Sequence, residues 1–345
     1  MTSENFKIIF HIGYGKTATT FLQKTIHENA KNNKILYLGK NFDDGFANVK
    51  LKDLFHKLFR TYRSESNKHE HPSHINASLL DDFIEQILIL VKENKNIDTI
   101  YLSDECLGSY QEYHAELNYS YLLYIGNNLK QKLLNLRIKS DCYLIQSIRN
   151  HVDMVNSSFA YAGKKLVKGN IEKRLANYHD LFFGHLEYST IFTFLKKYFY
   201  PWEVYFVPME LLEKKGARYF LSKMTMKENF ILSDENCKKI NANRNNKGDL
   251  INRTSNIINE YSHRKFMENI SVYRNKKRFQ RFYFIDGVSA FIYMKLYQFT
   301  RFRILRGKYY KKNIEIDKLI KSRYVDDVTN LKVICKDYNL EELGY

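Results

Sequence analysis

The stretch KIIFHIGYGKTATTFLQ, Lys7 to Gln23, decides the fold. Its opening KIIFHI is a nearly continuous apolar run, as expected of a parallel strand covered on both faces. Gly13 and Gly15 follow, with Tyr14 between them, so the backbone can turn tightly and approach a ligand without Cβ clashes. Thr17, Ala18, Thr19 and Thr20 then open a helix whose unpaired N–H groups and positive dipole end would cradle a phosphate. Lys16 adds a mobile cation at the loop tip. Strand, glycine turn and helix start together predict a site for a phosphorylated, nucleotide-type donor. The loop of nucleotide triphosphatases has four residues between its first Gly and its Gly-Lys-Ser/Thr end. Here a single residue separates Gly13 from Gly15, so the loop surrounds less phosphate. That spacing suits one 5′-phosphate with a small attached group better than a triphosphate chain.

Outward from this stretch, four more apolar runs read as strands: KILYL (34–38), IDTIYLS (97–103), DCYLIQSI (141–148) and EVYFVP (203–208). Helical periodicity lies between them, over Leu79–Lys92 and Tyr121–Leu136. Strand alternating with helix predicts a three-layer α/β domain around a parallel sheet. After Pro208 the pattern turns helical, over Met209–Lys223, Asp249–Ser271, Ile285–Phe302 and Val325–Tyr338. The chain is therefore read as an α/β core over residues 1–250 and a basic, α-rich segment over 251–345 packed on it.

With 44% apolar and 27% charged residues the composition is that of a folded protein. The formal charge of +17 is concentrated: Arg264–Lys312 holds 14 Lys/Arg against 2 Asp/Glu. Such a field attracts polyanions, whether nucleic acid, anionic lipid or acidic polysaccharide. Cys106, Cys142, Cys237 and Cys335 show no metal spacing and read as reduced, structural thiols. His69, His71 and His74 fall in the polar stretch 61–76, which reads as an exposed loop, and no metal is expected. The first residues, MTSENFKIIF, do not form a charged start followed by a long apolar stretch, and no run approaches membrane-span length. A cytoplasmic protein is expected, with a basic segment suited to peripheral contact with an anionic membrane surface.

HIGYGKTATTFLQ resembles the 5′-phosphosulfate-binding loop of sulfotransferases that use 3′-phosphoadenosine-5′-phosphosulfate (PAPS), in their bacterial form. The match falls on His11, Ile12, Gly13, Lys16, Thr17, Thr19, Thr20 and Gln23. Ala18 replaces the family's usual Gly, which costs little unless the position needs a positive φ. The resemblance implies a P-loop-like fold, PAPS as donor, 3′-phosphoadenosine-5′-phosphate (PAP) as product, and a sugar-type acceptor. A second element agrees. QSIRNHVDMVNSSFAYAGK places Arg149 at a strand end, Asn150 as a helix cap with Asp153 three residues on, and Ser157 eight residues past Arg149. A guanidinium fork and a hydroxyl suit a phosphate monoester. The resemblance assigns Arg149 and Ser157 to the 3′-phosphate, with Tyr161 lining the same cleft. Residues 177–212 are more weakly similar and include a Pro-x-Glu-x-Leu sequence; INANRNNKG (240–248) makes Arg244 and Lys247 donor contacts by position.

Sulfuryl transfer needs in-line attack, stabilisation of the leaving oxygen and a base for the acceptor. Lys16 is the expected stabiliser of the leaving phosphate oxygen. YLSDECL ends the third strand, and Glu105 is the expected base, with Asp104 beside it. His11 is the rival base, with a loop-orienting hydrogen bond as its alternative role. The expected acceptor is a hydroxyl or amine of a glycan or glycolipid, favoured over nucleic acid. Two rival readings are a nucleotide-dependent kinase, which wants a longer Gly loop and Mg²⁺ carboxylates, and a non-enzymatic nucleic-acid binder, whose binding would ignore Lys16.

Overall fold

A computed structural model of the chain describes residues 5–13, 17–39, 49–59, 77–103, 115–162, 186–233 and 314–345. Five strands form one parallel sheet: β1 Phe6–His11, β2 Ile35–Gly39, β3 Thr99–Ser103, β4 Ser140–Ile148 and β5 Glu203–Pro208. Their order is β2-β3-β1-β4-β5, all neighbours parallel. All five expected strands are present. The third begins later than expected because Ile97 N–H closes a turn onto Asn94 O at 2.9 Å, leaving the strand to start at Thr99.

The helices are α1 Thr19–Asn29, α2 Val49–Phe59, α3 Ala77–Glu93, α4 Ala115–Asn135, α5 His151–Ala162, α6 Tyr188–Tyr198, α7 Leu211–Lys214, α8 Ala217–Thr225, α9 Ile314–Arg323 and α10 Val325–Ile334. The helix expected over Met209–Lys223 is two helices, broken where Gly216 takes φ 86°. The expected helices over 249–271 and 285–302 lie outside the described residues.

Alternation along β1 puts Phe10 and His11 on opposite faces of the sheet. On the Phe10 face, its ring stacks on Trp202 at 5.1 Å, and α4 packs against both through Gly126. A Cβ there would meet the indole well under 3.0 Å, so only glycine lets the helix come this close. On the other face, Gln23 of α1 reaches Ser103 Oγ at 3.1 Å, and Lys7 Nζ reaches the carbonyl of Met226, just past α8, at 2.8 Å. Helices therefore cover both faces, which is why every residue of β2 and β3 is buried.

The chain divides into two compact units. The first, Met1–Met154, Leu175–Arg244 and Ile320–Tyr345, holds the sheet. Residues of Ile320–Tyr345 join it through Cys335 Sγ to Phe206 O (3.8 Å) and Tyr345 O–H to Glu210 (3.2 Å). The second unit is Val155–Arg174 and Asn245–Leu319; its described parts, 155–162 and 314–319, are helical.

The strand order also positions the site. From β1 the chain runs to β2, toward one edge of the sheet; from β4 it runs to β5, toward the other. With right-handed crossovers these connections leave on opposite faces. Open α/β sheets bind ligands at such a divergence, outside the strands' carboxyl ends.

Candidate functional site

His11 ends β1, between Ser103 on β3 and Ile145 on β4 in register. It is fully buried, with Nδ1 at 2.8 Å from Ser103 Oγ and Nε2 at 3.2 Å from Ser147 Oγ. Ser147 Oγ is also 2.7 Å from Thr17 Oγ1, and Gln23 donates to Ser103 Oγ at 3.1 Å. Burial pushes the imidazole pKa down to about 3, so the ring is neutral at neutral pH. The ring has no exposed surface and both of its nitrogens have a hydroxyl within hydrogen-bond distance.

Gly13 is required for a reason its sequence context did not reveal. An added Cβ would lie well inside 3.0 Å of Thr19 Cγ2 and 2.9 Å from both Cε1 and Nε2 of His11. The crowding is with the protein itself, between the His11 ring and the first turn of α1. Ala18, the N-cap of α1, sits at φ 57°, ψ 19°. The position does need a positive φ, so alanine here carries about 1–2 kcal/mol of strain that glycine would not. Alanine offers no side-chain cap at this end, while its carbonyl accepts the Leu22 N–H at 3.0 Å. Thr17 and Thr19 are buried, and Thr20 begins the helix with Thr19. Tyr14, Gly15 and Lys16 lie outside the described residues.

Arg149 follows β4 and is half-buried, with its carbonyl accepting the Tyr188 O–H at 2.9 Å. Asn150 is the expected cap of α5: its Oδ1 accepts the Asp153 N–H at 2.9 Å, and its Nδ2 donates to Asp153 at 3.0 Å. The expected capping box is closed by another residue, however. The backbone N–H of Asn150 goes to Glu210 Oε1 at 2.8 Å, which also takes Asn150 Nδ2 at 2.9 Å. Burial raises the Glu210 pKa, opposed by the Asn150 hydrogen bonds and the charge of Arg149. Glu210 is thus a buried carboxylate holding the residue next to Arg149, a role sequence reasoning missed. Its only signal was the Pro208-x-Glu210 sequence, placed beside β4 by the Ile148–Pro208 register.

A second buried carboxylate was also missed. Asp327 of α10 accepts the N–H groups of Tyr188 (3.1 Å) and Ser189 (2.7 Å), capping α6 from a distant part of the sequence. It also takes the Ser189 hydroxyl at 2.6 Å and His151 Nε2 at 3.0 Å, and that nitrogen reaches Leu186 O at 2.9 Å as well. Two acceptors face one ring nitrogen, so Nε2 carries a proton. Stacked against Tyr324 at 4.3 Å, His151 is locked into the start of α5.

Ser157 lies on α5 and is half-buried. The side chain of Tyr161, and residues Asp104, Glu105, Cys106, Cys237, Arg244, Lys247, His69, His71 and His74, lie outside what is described. Among the described residues, no group of His, Cys, Asp or Glu is arranged to hold a metal ion. No helix described is long and apolar enough to cross a membrane. Cys142 and Cys335 are buried, unbridged thiols whose pKa values burial pushes up to about 12. A groove is lined by Phe192, Thr193, Lys196, Lys197, Tyr200 and Ile334. No protein-family model and no curated protein matches the chain.

Proposed function

We propose that the chain is a PAPS-dependent sulfotransferase with a P-loop-like fold, transferring the sulfuryl group to a hydroxyl or amine of a glycan or glycolipid and releasing PAP. One observation supports the reading above others. The Gly13–Thr20 turn and the Arg149–α5 junction, each suited to an anion, follow neighbouring parallel strands at the point where the sheet's connections diverge. Two separate anion sites suit a 3′,5′-bisphosphorylated nucleoside better than a triphosphate. In this reading Gly13, Tyr14, Gly15, Lys16, Thr17, Ala18, Thr19 and Thr20 surround the 5′-phosphosulfate, and Arg149 and Ser157 hold the 3′-phosphate. Arg244 and Lys247 close over the donor.

The step is an in-line displacement at sulfur. The acceptor oxygen gives its proton to Glu105 and bonds to sulfur as the bond from sulfur to the 5′-phosphate oxygen breaks. The electron pair stays on that oxygen, where Lys16 offsets the charge. The basic residues of Arg264–Lys312 suit an acceptor that is already acidic, or an anionic membrane surface on the cytoplasmic side.

Isothermal titration of the whole chain with PAP and with ATP tests the donor. PAP should bind more tightly than ATP, and Lys16→Ala or Arg149→Ala should weaken PAP by roughly 10- to 100-fold, the worth of a charged hydrogen bond. Absence of PAP binding would overturn the proposal. Transfer from labelled PAPS to neutral and acidic glycans, across a salt series, then tests the acceptor; equal rates on both would remove the case for an acidic one.

A further inference from the structure

The peptide that carries the chain out of β4 is held from both sides. The strand ends with the Ile148 carbonyl accepting the Met209 N–H at 2.8 Å. The next peptide, between Arg149 and Asn150, lies beyond the strand pairing, so its C=O and N–H need partners from elsewhere. Two buried side chains supply them. Tyr188, at the start of α6, donates its hydroxyl to the Arg149 carbonyl at 2.9 Å. Glu210, two residues past β5, accepts the Asn150 N–H on Oε1 at 2.8 Å. Neither direction is open, because a carbonyl only accepts and a backbone N–H only donates.

Each partner is itself fixed. Asp327 accepts the Tyr188 N–H at 3.1 Å, and the tyrosine ring centre lies 4.8 Å from that of His151. Glu210 Oε1 also takes Asn150 Nδ2 at 2.9 Å, and Oε2 takes the Tyr345 hydroxyl at 3.2 Å. The Asp153 N–H needs the oxygen of the Asn150 amide, so the nitrogen of that amide faces Glu210. A buried carboxylate is costly unless hydrogen bonds and a nearby cation offset its desolvation. Here the Asn150 donors and the charge of Arg149 do so. The buried groups thus converge on one peptide, while Arg149 itself is only half-buried.

We propose that Glu210 and Tyr188 are positioning residues that make the chain selective for nucleotides bearing a 3′-phosphate: by clamping the Arg149–Asn150 peptide, they fix the backbone that carries the Arg149 guanidinium. The assignment rests on the donor-site reading above, in which Arg149 holds that phosphate. A guanidinium grips a phosphate through two parallel N–H bonds, and both are lost when the backbone beneath them turns. Loosening this one peptide therefore weakens the hold on the 3′-phosphate and leaves the rest of the nucleotide's contacts in place.

Isothermal titration of the whole chain with PAP and with adenosine 5′-monophosphate, which lacks only the 3′-phosphate, reads this selectivity as a ratio of affinities. Tyr188→Phe keeps the ring and loses the hydroxyl. It should weaken PAP by roughly 3- to 10-fold, the worth of one hydrogen bond, with the monophosphate within about 2-fold of native. Glu210→Ala should weaken PAP by roughly 10- to 30-fold and spare the monophosphate equally, since the lost acceptor is charged. Glu210→Gln keeps an acceptor for both Asn150 donors and should stay within about 3-fold of native for PAP. In an Arg149→Ala background either substitution should cost PAP less than about 2-fold more, because the residue it positions is gone. Circular dichroism separates loss of binding from loss of fold, and Tyr188→Phe carries the test if Glu210→Ala does not fold. Four results would overturn the positioning role and leave the donor reading standing: equal losses for the two nucleotides, losses that add to that of Arg149→Ala, native PAP affinity in the folded variants, or Glu210→Gln as weak as Glu210→Ala. A native chain that binds no PAP overturns the donor reading and this selectivity with it.

Discussion

Gly13→Ala is the substitution whose consequence can be worked furthest. The new Cβ would fall well inside 3.0 Å of Thr19 Cγ2 and at 2.9 Å from two atoms of the His11 ring, where carbon contacts prefer about 3.5–4.0 Å. Neither neighbour yields cheaply. Thr19 is buried in the first turn of α1, and His11 is held from both sides by Ser103 and Ser147. Relief needs a backbone shift approaching 1 Å or a broken hydrogen bond, which puts the cost near the upper end of overpacking, about 3 kcal/mol. Thr19→Ser deletes the nearest of the three clashing atoms and alone costs about 1 kcal/mol for its lost methyl. Additive effects would put the double variant about 4 kcal/mol below native, but removal of the shared clash should leave it only about 2–2.5 kcal/mol below. Equilibrium urea unfolding of the four proteins measures this coupling of roughly 1.5–2 kcal/mol. The same loop shift should weaken PAP binding in Gly13→Ala, since displaced donors no longer meet the phosphate. A Gly13→Ala protein within about 0.5 kcal/mol of native, or a cycle additive to within about 0.3 kcal/mol, would refute the packing argument.

Ala18→Gly should stabilise the chain. Relief of about 1–2 kcal/mol of left-handed strain outweighs the 0.4–1 kcal/mol that glycine adds to the unfolded chain's entropy, for a net gain of about 0.5–1 kcal/mol in urea midpoint analysis. Asp327→Ala should cost about 3 kcal/mol by the same measurement, because it uncaps α6 and leaves the buried N–H groups of Tyr188 and Ser189 without their acceptor. Acid should act through His11. Its folded pKa of about 3 lies below its ordinary 6.5, so between these values the unfolded chain takes up a proton the folded one refuses. The stabilisation from keeping this ring neutral is complete above pH 6.5 and is lost as the pH falls toward 3, by up to about 1.4 kcal/mol per pH unit. Unfolding free energies at pH 7, 5.5 and 4.5 should therefore fall more steeply in the native chain than in His11→Gln; parallel curves would show that His11 is not the group responsible.

The sequence by itself determined the strands of the parallel sheet and the helix start after β1. Apolar runs such as KIIFHI are continuous because both faces of a parallel strand are covered, and that pattern is local enough to read directly. Asn150 as the cap of α5 was legible for the same reason: its partner Asp153 is three residues away. Other features depended on partners far along the chain. Glu210 lies 60 residues from the Asn150 it holds, and Asp327 caps α6 from 138 residues beyond Ser189. No periodicity or spacing carries such pairings, because they exist only once the sheet has set β5 beside β4 and α10 against α6. Local sequence left two residues within the motif open. Ala18 was inexpensive only if its φ stayed negative, and it stands at 57°. His11 was read both as a rival base and as a loop-orienting residue; Ser103 and Ser147 reach it only when β3 and β4 flank β1, and that same enclosure buries the ring and keeps it neutral. The strands were written in the sequence; the sheet order decided what surrounds His11 and Thr17, because hydrogen-bond partners and burial belong to neighbours in space.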